Sequence, residues 1–212
     1  MINTYRNHAE VIGRLHGDLT AATNKNGDVF FDGTFAVQRQ SGTVDHLPIS
    51  VPAALVGSIT KATELYGRHL RLVGDLRSYN KVVDGKSHHI VLYVKEITAE
   101  SSATDDNQIE LQGVISRAPI YRKTPLGREI CDFMVAINRS GGRSAYIPVI
   151  CWGKTARMVS TLALGTPVAI RGRFQSREYA KKLDIGETVT MTAYEVSSKS
   201  VKVVEAWATG SV

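Results

Sequence analysis

Tyr146, Trp152 and Tyr179 stand among a set of cations, a combination suited to holding flat rings joined by negative charge rather than to bond chemistry. Tyr146 and Trp152 bound the stretch "YIPVICW". In a strand the faces alternate, so Tyr146, Pro148, Ile150 and Trp152 share one side, and Ile147, Val149 and Cys151 the other. The strand expected next brings Arg171 and Arg173, and the hairpin after it brings Arg177, Tyr179, Lys181 and Lys182. Arg122 and Lys123 in an earlier hairpin, with Arg139 and Lys154, complete the candidate set. Aromatic rings stack on unpaired bases and cations neutralise phosphates, with little sequence preference because every base has a π-face. The plainer reading makes Trp152 a core residue and the cations an ordinary solvated surface. The residues by themselves leave both open.

Catalytic and metal patterns are missing. The chain has no GxxxxGK[ST] phosphate loop, no Cys-x-x-Cys, no HExxH and no paired metal-ligand motif, so an enzyme, a cofactor and a metal are not expected. All six histidines (His8, His16, His46, His69, His88, His89) lie in the first half, and His88 and His89, adjacent in an expected strand, face opposite ways. The 212 residues, 43% hydrophobic, suffice for two small domains or one medium one. A net charge of +6 favours a polyanionic partner only modestly. "MINTYRNHAEVIGRL" has no signal-like apolar core, and no run approaches the roughly 18 apolar residues of a membrane span, so a soluble cytosolic chain without membrane contact is expected. Cys131 and Cys151 then read as small buried hydrophobes rather than a disulfide.

The chain repeats itself. Shifted by one hundred residues, "NHAEVIGRL" (7–15) meets "NQIELQGVI" (107–115) and "AVQR" (36–39) meets "AINR" (136–139); near an offset of 98, "LVGDLRS" (72–78) meets "IRGRFQS" (170–176). These matches divide the chain into a first domain over 1–98, a small, acidic linker over 99–106, a second domain over 107–200 and an extension over 201–212. In the second copy, strands are expected near 108–117, 130–138, 145–152, 167–174 and 188–196, with a helix over 154–164; the first copy has its helix within 52–66. The expected fold is all-β with a short helix per domain: two tandem OB-fold barrels, each a five-stranded Greek key.

Comparing the copies assigns the faces. Ile147, Val149 and Cys151 correspond to Leu47, Ile49 and Val51, apolar in both, whereas Tyr146, Ile150 and Trp152 become His46, Ser50 and Pro52. Residues 1–100 hold 11 Lys and Arg against 10 Asp and Glu; residues 101–212 hold 15 against 10. The second copy is therefore the better candidate for a polyanion, and the first copy is expected to serve mainly in assembly.

"TPLGREICDFMVAINR" (124–139) followed by "YIPVICWGKTARMVSTLALGTPVAIRGRFQSREY" (146–179) resembles the bacterial single-stranded DNA-binding proteins, in the order and spacing of three motif blocks across about 107–196. The resemblance implies stacking by Tyr146, Trp152 and Tyr179. It also implies a non-enzymatic protein that coats and protects unpaired DNA in replication, repair or recombination, in the bacterial cytosol at the nucleoid, as a homodimer presenting four OB folds. "NRSG" (138–141) lacks the aromatic residue common there in the family, and "VEAWATGSV" (204–212) lacks the acidic, Phe-ended tip. Replication or repair partners are accordingly not expected to be recruited through a tail. The other readings are an OB-fold adaptor engaging mainly proteins, as in a primosome, and an RNA-binding OB protein.

Overall fold

The computed structural model describes residues 6–24, 26–59, 69–83, 86–101, 104–139, 141–182 and 186–205. The first copy comprises β1 (Asn7–Thr23), β2 (Val29–Gln38), β3 (Val44–Pro52), α1 (Ala53–Ile59), β4 (Leu70–Val83) and β5 (Lys86–Ala99). The second comprises β6 (Asp106–Lys123), β7 (Glu129–Arg139), β8 (Arg143–Trp152), α2 (Gly153–Val159), β9 (Pro167–Lys182) and β10 (Thr188–Val203). In the first, β1 pairs with β2 and β4, β2 with β3, β3 with β5 in parallel, and β5 with β4, so the ring closes. The second closes in the same order. Each is the five-stranded Greek-key barrel of the OB fold.

Closure needs backbones to cross closely. Gly74 and Gly172 sit at matching positions of the two copies; a Cβ on either would run into a carbonyl oxygen, that of Tyr93 or of Ser197. The ladder slips a residue between Val73 and Gly74, as at a bulge that coils a strand.

Alternation fills the cores as expected: Ile147, Val149 and Cys151 are buried, as are Leu47, Ile49 and Val51. Cys131 lies directly opposite Cys151 in the β7–β8 ladder, and both thiols are free and buried. The strands are longer than sequence suggested. β6 and β9 run on to Lys123 and Lys182, so their hairpin arms extend beyond the strands that the apolar pattern marks, and β10 runs on to Val203, opposite Val168 at the end away from its hairpin. The helix α2 is shorter, ending at Val159, because the Ser160 and Thr161 hydroxyls donate to the carbonyls of Arg157 and Met158 at 2.7 and 2.9 Å. Residues 60–66 of the first copy's expected helix lie outside the described residues.

Antiparallel pairing of β1 with β6, from Asn7 opposite Leu111 to Ile12 opposite Asp106, joins the copies into a ten-stranded sheet. The described part of the stretch read as a linker is tied down. Glu100 N–H donates to the His69 carbonyl at 2.8 Å, and the Asp105 carboxylate takes His69 Nε2 at 2.6 Å and the Gln38 N–H at 2.6 Å. The buried His69–Asp105 pair anchors the start of the second copy. Among the described residues, no helix is long and apolar enough to cross a membrane.

Candidate nucleic-acid interface

The outer face of β8 carries two large exposed rings, Tyr146 (47% exposed) and Trp152 (40%). Ile150, which alternation sets between them, is buried, at 2%. It lies opposite Asp132 on β7 and Ser197 on β10, and Ser197, Glu195 and Gln175 on that outer face are buried as well. Gln175 Nε2 donates to Glu195 Oε1 at 2.9 Å, and Arg177 Nε to the same oxygen at 3.1 Å. A hydrogen-bonded polar layer therefore covers the outer side of the barrel beside β8, while the two rings remain open to a ligand.

Local backbone geometry sets Trp152 outward. It is the last residue of β8 in an extended conformation (φ −128°, ψ 151°), and Gly153, with φ +54°, turns the chain at once into α2. The indole joins Lys123, Gly127 and Arg128 of the β6–β7 hairpin around an open depression of about 400 Å³. Glu129 also lines it, but its carboxylate is engaged by Arg157 and, at 2.5 Å, by the Tyr121 hydroxyl. Arg128, not among the candidates read from sequence, stands where the first copy has Asp28, a difference of charge between the copies.

The other candidates separate into groups. Arg122 pairs with Asp132 at 2.6 Å. Arg177 lies 5.7 Å over the Tyr179 ring, and its hydrogen bond to Glu195 raises its pKa above the ordinary value. Lys154, on α2, and Lys182, at the end of β9, are exposed. Lys181 stands opposite Val189 in the β9–β10 ladder, and its side chain lies outside the described residues.

Three arginines stand apart from Trp152. Arg171 faces β6, 3.1 Å from Glu110, which also takes Arg6. Arg173 lines a cleft between the copies with Arg39 and Asp45; burial, reinforced by Arg39, lowers its pKa, and its Nε has no hydrogen-bond partner among the described residues. Arg139, at the end of β7, is pushed the same way by burial and lies within electrostatic reach of Asp75 and Tyr93 of the first copy. Tyr146, too, touches the first copy, its N–H donating to Ser78 Oγ at 2.7 Å. Sequence gave no signal for contacts between residues so far apart along the chain.

Residues 106–204 match the model of the single-strand binding protein family. Single-stranded DNA-binding protein A of Bacillus subtilis is 33% identical over 106 residues, covering 47% of this chain and 59% of that protein. Single-stranded DNA-binding protein 2 of Listeria monocytogenes is also 33% identical over 106 residues, covering 47% and 64%. The chain thus spans about three-fifths of the length of these curated relatives. The crystal structure of the wild-type single-stranded DNA binding protein from Thermus aquaticus superposes with a TM-score of 0.74 at 18% identity, over 98% of this chain and 97% of that one. A deletion mutant of the same protein gives 0.73 at 19% identity, over 99% and 100%. The likeness in structure thus extends through both copies, whereas the family match falls on the second.

Proposed function

We propose that the chain binds single-stranded DNA with little sequence preference, without catalysing a reaction, a reading supported by the match of residues 106–204 to the single-strand binding protein family. The observation that carries this reading is the pair of rings on β8. A barrel that buries Phe133 and Phe174 leaves Tyr146 and Trp152 about half exposed on one outer face, with Trp152 beside Lys123 and Arg128. Bases stack on the two rings and on Tyr179, while Lys123, Arg128, Lys154 and Lys182 neutralise phosphates.

In this reading the protein coats unpaired strands in a bacterial cytosol, keeping them from re-pairing and from nucleases during replication, repair or recombination. It acts as a homodimer of two-copy chains presenting four OB folds, which light scattering tests directly: a monomer at micromolar concentration contradicts that part. Binding itself is tested by titrating oligo(dT) at several salt concentrations, with duplex DNA and oligo(U) as competitors. The expected result is an affinity that falls linearly in log–log form with salt, by about 0.7 per phosphate neutralised, and that neither competitor matches. No binding at low salt would contradict the reading, and preference for oligo(U) would reassign it to RNA.

A further inference from the structure

Both arms of the β4–β5 hairpin of the first copy reach Tyr146. Ser78 Oγ accepts its N–H at 2.7 Å, and its carbonyl oxygen lies 2.9 Å from His88 Nε2. The residues following these two, Tyr79 and His89, stand opposite each other across the hairpin and stack, with ring centroids 5.8 Å apart and planes 20° from parallel. Tyr79 is 47% exposed, as open as Tyr146. Two positions back on the same face of β4, the Arg77 guanidinium lies 3.1 Å over the Tyr93 ring, and its buried Nε has no hydrogen-bond partner among the described residues. Buried donors are rarely left so. Burial and then the nearby Arg139 of the second copy lower the Arg77 pKa, so two arginines face this junction. The neighbouring carboxylate, Asp75, is paired with Lys95 at 2.7 Å.

The opposite junction differs at the position that matches Tyr79. There Ser176 Oγ accepts the His46 N–H at 3.1 Å, so the same contact is made by the matching residues. Two of its arginines are ion-paired, Arg39 with buried Asp45 and Arg177, the counterpart of Tyr79, with Glu195, while Arg173 leaves its buried Nε without a hydrogen-bond partner among the described residues. The two junctions thus differ chiefly at one matching position, where the first presents the exposed Tyr79 ring and the other presents Arg177 tied to Glu195.

We infer that a bound DNA strand passes from the second copy to the first across this junction, stacking a base on Tyr79 and setting a phosphate between Arg77 and Arg139. This rests on the single-stranded DNA reading above and adds to it a site on the first copy, where His46 and Pro52 stand in place of the rings of β8. The strand comes onto Tyr79 only when it is longer than the second copy can hold.

The test compares oligo(dT) of about 8 and about 30 nucleotides, below and above the roughly 4–16 nucleotides that one OB fold covers, on wild-type protein, Tyr79→Leu and Tyr79→Phe. Tyr79→Leu is expected to weaken the longer strand by about 5- to 150-fold, the loss of one stacked base, while the shorter strand binds as before and Tyr79→Phe behaves as wild type. Arg139→Gln is expected to flatten the salt dependence for the longer strand by about 0.7, a change that a merely structural role would not produce. It keeps the test decisive should Tyr79→Leu melt early. An unchanged ratio of long- to short-strand affinity in Tyr79→Leu, or an unchanged slope in Arg139→Gln, overturns the crossing while leaving binding by the second copy intact. Wild-type protein that binds neither strand at low salt removes the underlying reading instead.

Discussion

Asn107 holds Phe174 by both groups of its backbone: Asn107 Nδ2 donates to the Phe174 carbonyl at 2.7 Å, and the Phe174 N–H donates to Asn107 Oδ1 at 2.9 Å. One hundred residues earlier, Asn7 makes the same two bonds with Leu76, at 2.7 and 2.9 Å. In each barrel the first strand's backbone ladder with the fourth ends two residues away, at Ile109–Gly172 and Ala9–Gly74, and the amide side chain continues it.

Asn107→Ala strips partners from a donor and an acceptor that are both buried, at a cost of about 2–4 kcal/mol. Asn7→Ala should cost less, because its bonds are only partly buried. Urea unfolding of the two variants gives the comparison.

Arg39 and Asp45 form a second such device. Arg39 Nε and Nη2 donate to the two Asp45 oxygens at 2.7 and 2.6 Å, and the Ser176 N–H of the other copy donates to Asp45 at 2.8 Å. The hydrogen bond to Asp45 raises the Arg39 pKa. Arg39→Met strands a buried carboxylate and should cost about 3–5 kcal/mol. Asp45→Leu added to Arg39→Met should recover part of that loss, a comparison that the same unfolding experiment makes.

Much of this fold is readable in the sequence because its cause is local. Alternation in "YIPVICW" and its counterpart "HLPISVP" marks the inner face, and the glycines at 74 and 172 mark the points of close crossing. Hairpin arms were missed because their alternation lacks an apolar partner face. Alternation alone places Ile150 among the outward residues because the layer that buries it comes from β9 and β10, some 25 to 47 residues later. The same holds between the copies: nothing near Tyr146 announces Ser78, and nothing in an acidic stretch announces that Asp105 will meet His69.

The thiols give a prediction with a pH sign. Burial, with smaller contributions from Cys131 and Asp132, raises the Cys151 pKa from 9.0 to about 12. The folded state therefore favours the protonated thiol. Its contribution to stability is whole below about pH 9 and is lost as the pH rises through about 12. At about pH 8 neither thiol should react with a disulfide reagent until the protein is unfolded, and Cys151→Ala should lose less stability than wild type between about pH 8 and 10.5. Rapid labelling of folded protein would contradict the burial.

Gly153 is the hinge on which the position of Trp152 depends. Its φ of +54° is strained for any residue with a Cβ, although the space around it is open. Gly153→Val should therefore cost about 1–3 kcal/mol and, by shifting the indole, weaken oligo(dT) more than its effect on melting accounts for. Equal melting and equal affinity would show that the turn does not set the ring.

The most direct measurement is the affinity of Tyr146→Ala/Trp152→Ala for oligo(dT), beside wild type at the same salt and with melting curves for both. If the two rings stack on bases, the double variant keeps its fold, since both rings are about half exposed, and loses about 2–6 kcal/mol of binding free energy. A folded double variant that binds as tightly as wild type would contradict the central claim that β8 is where unpaired DNA is held.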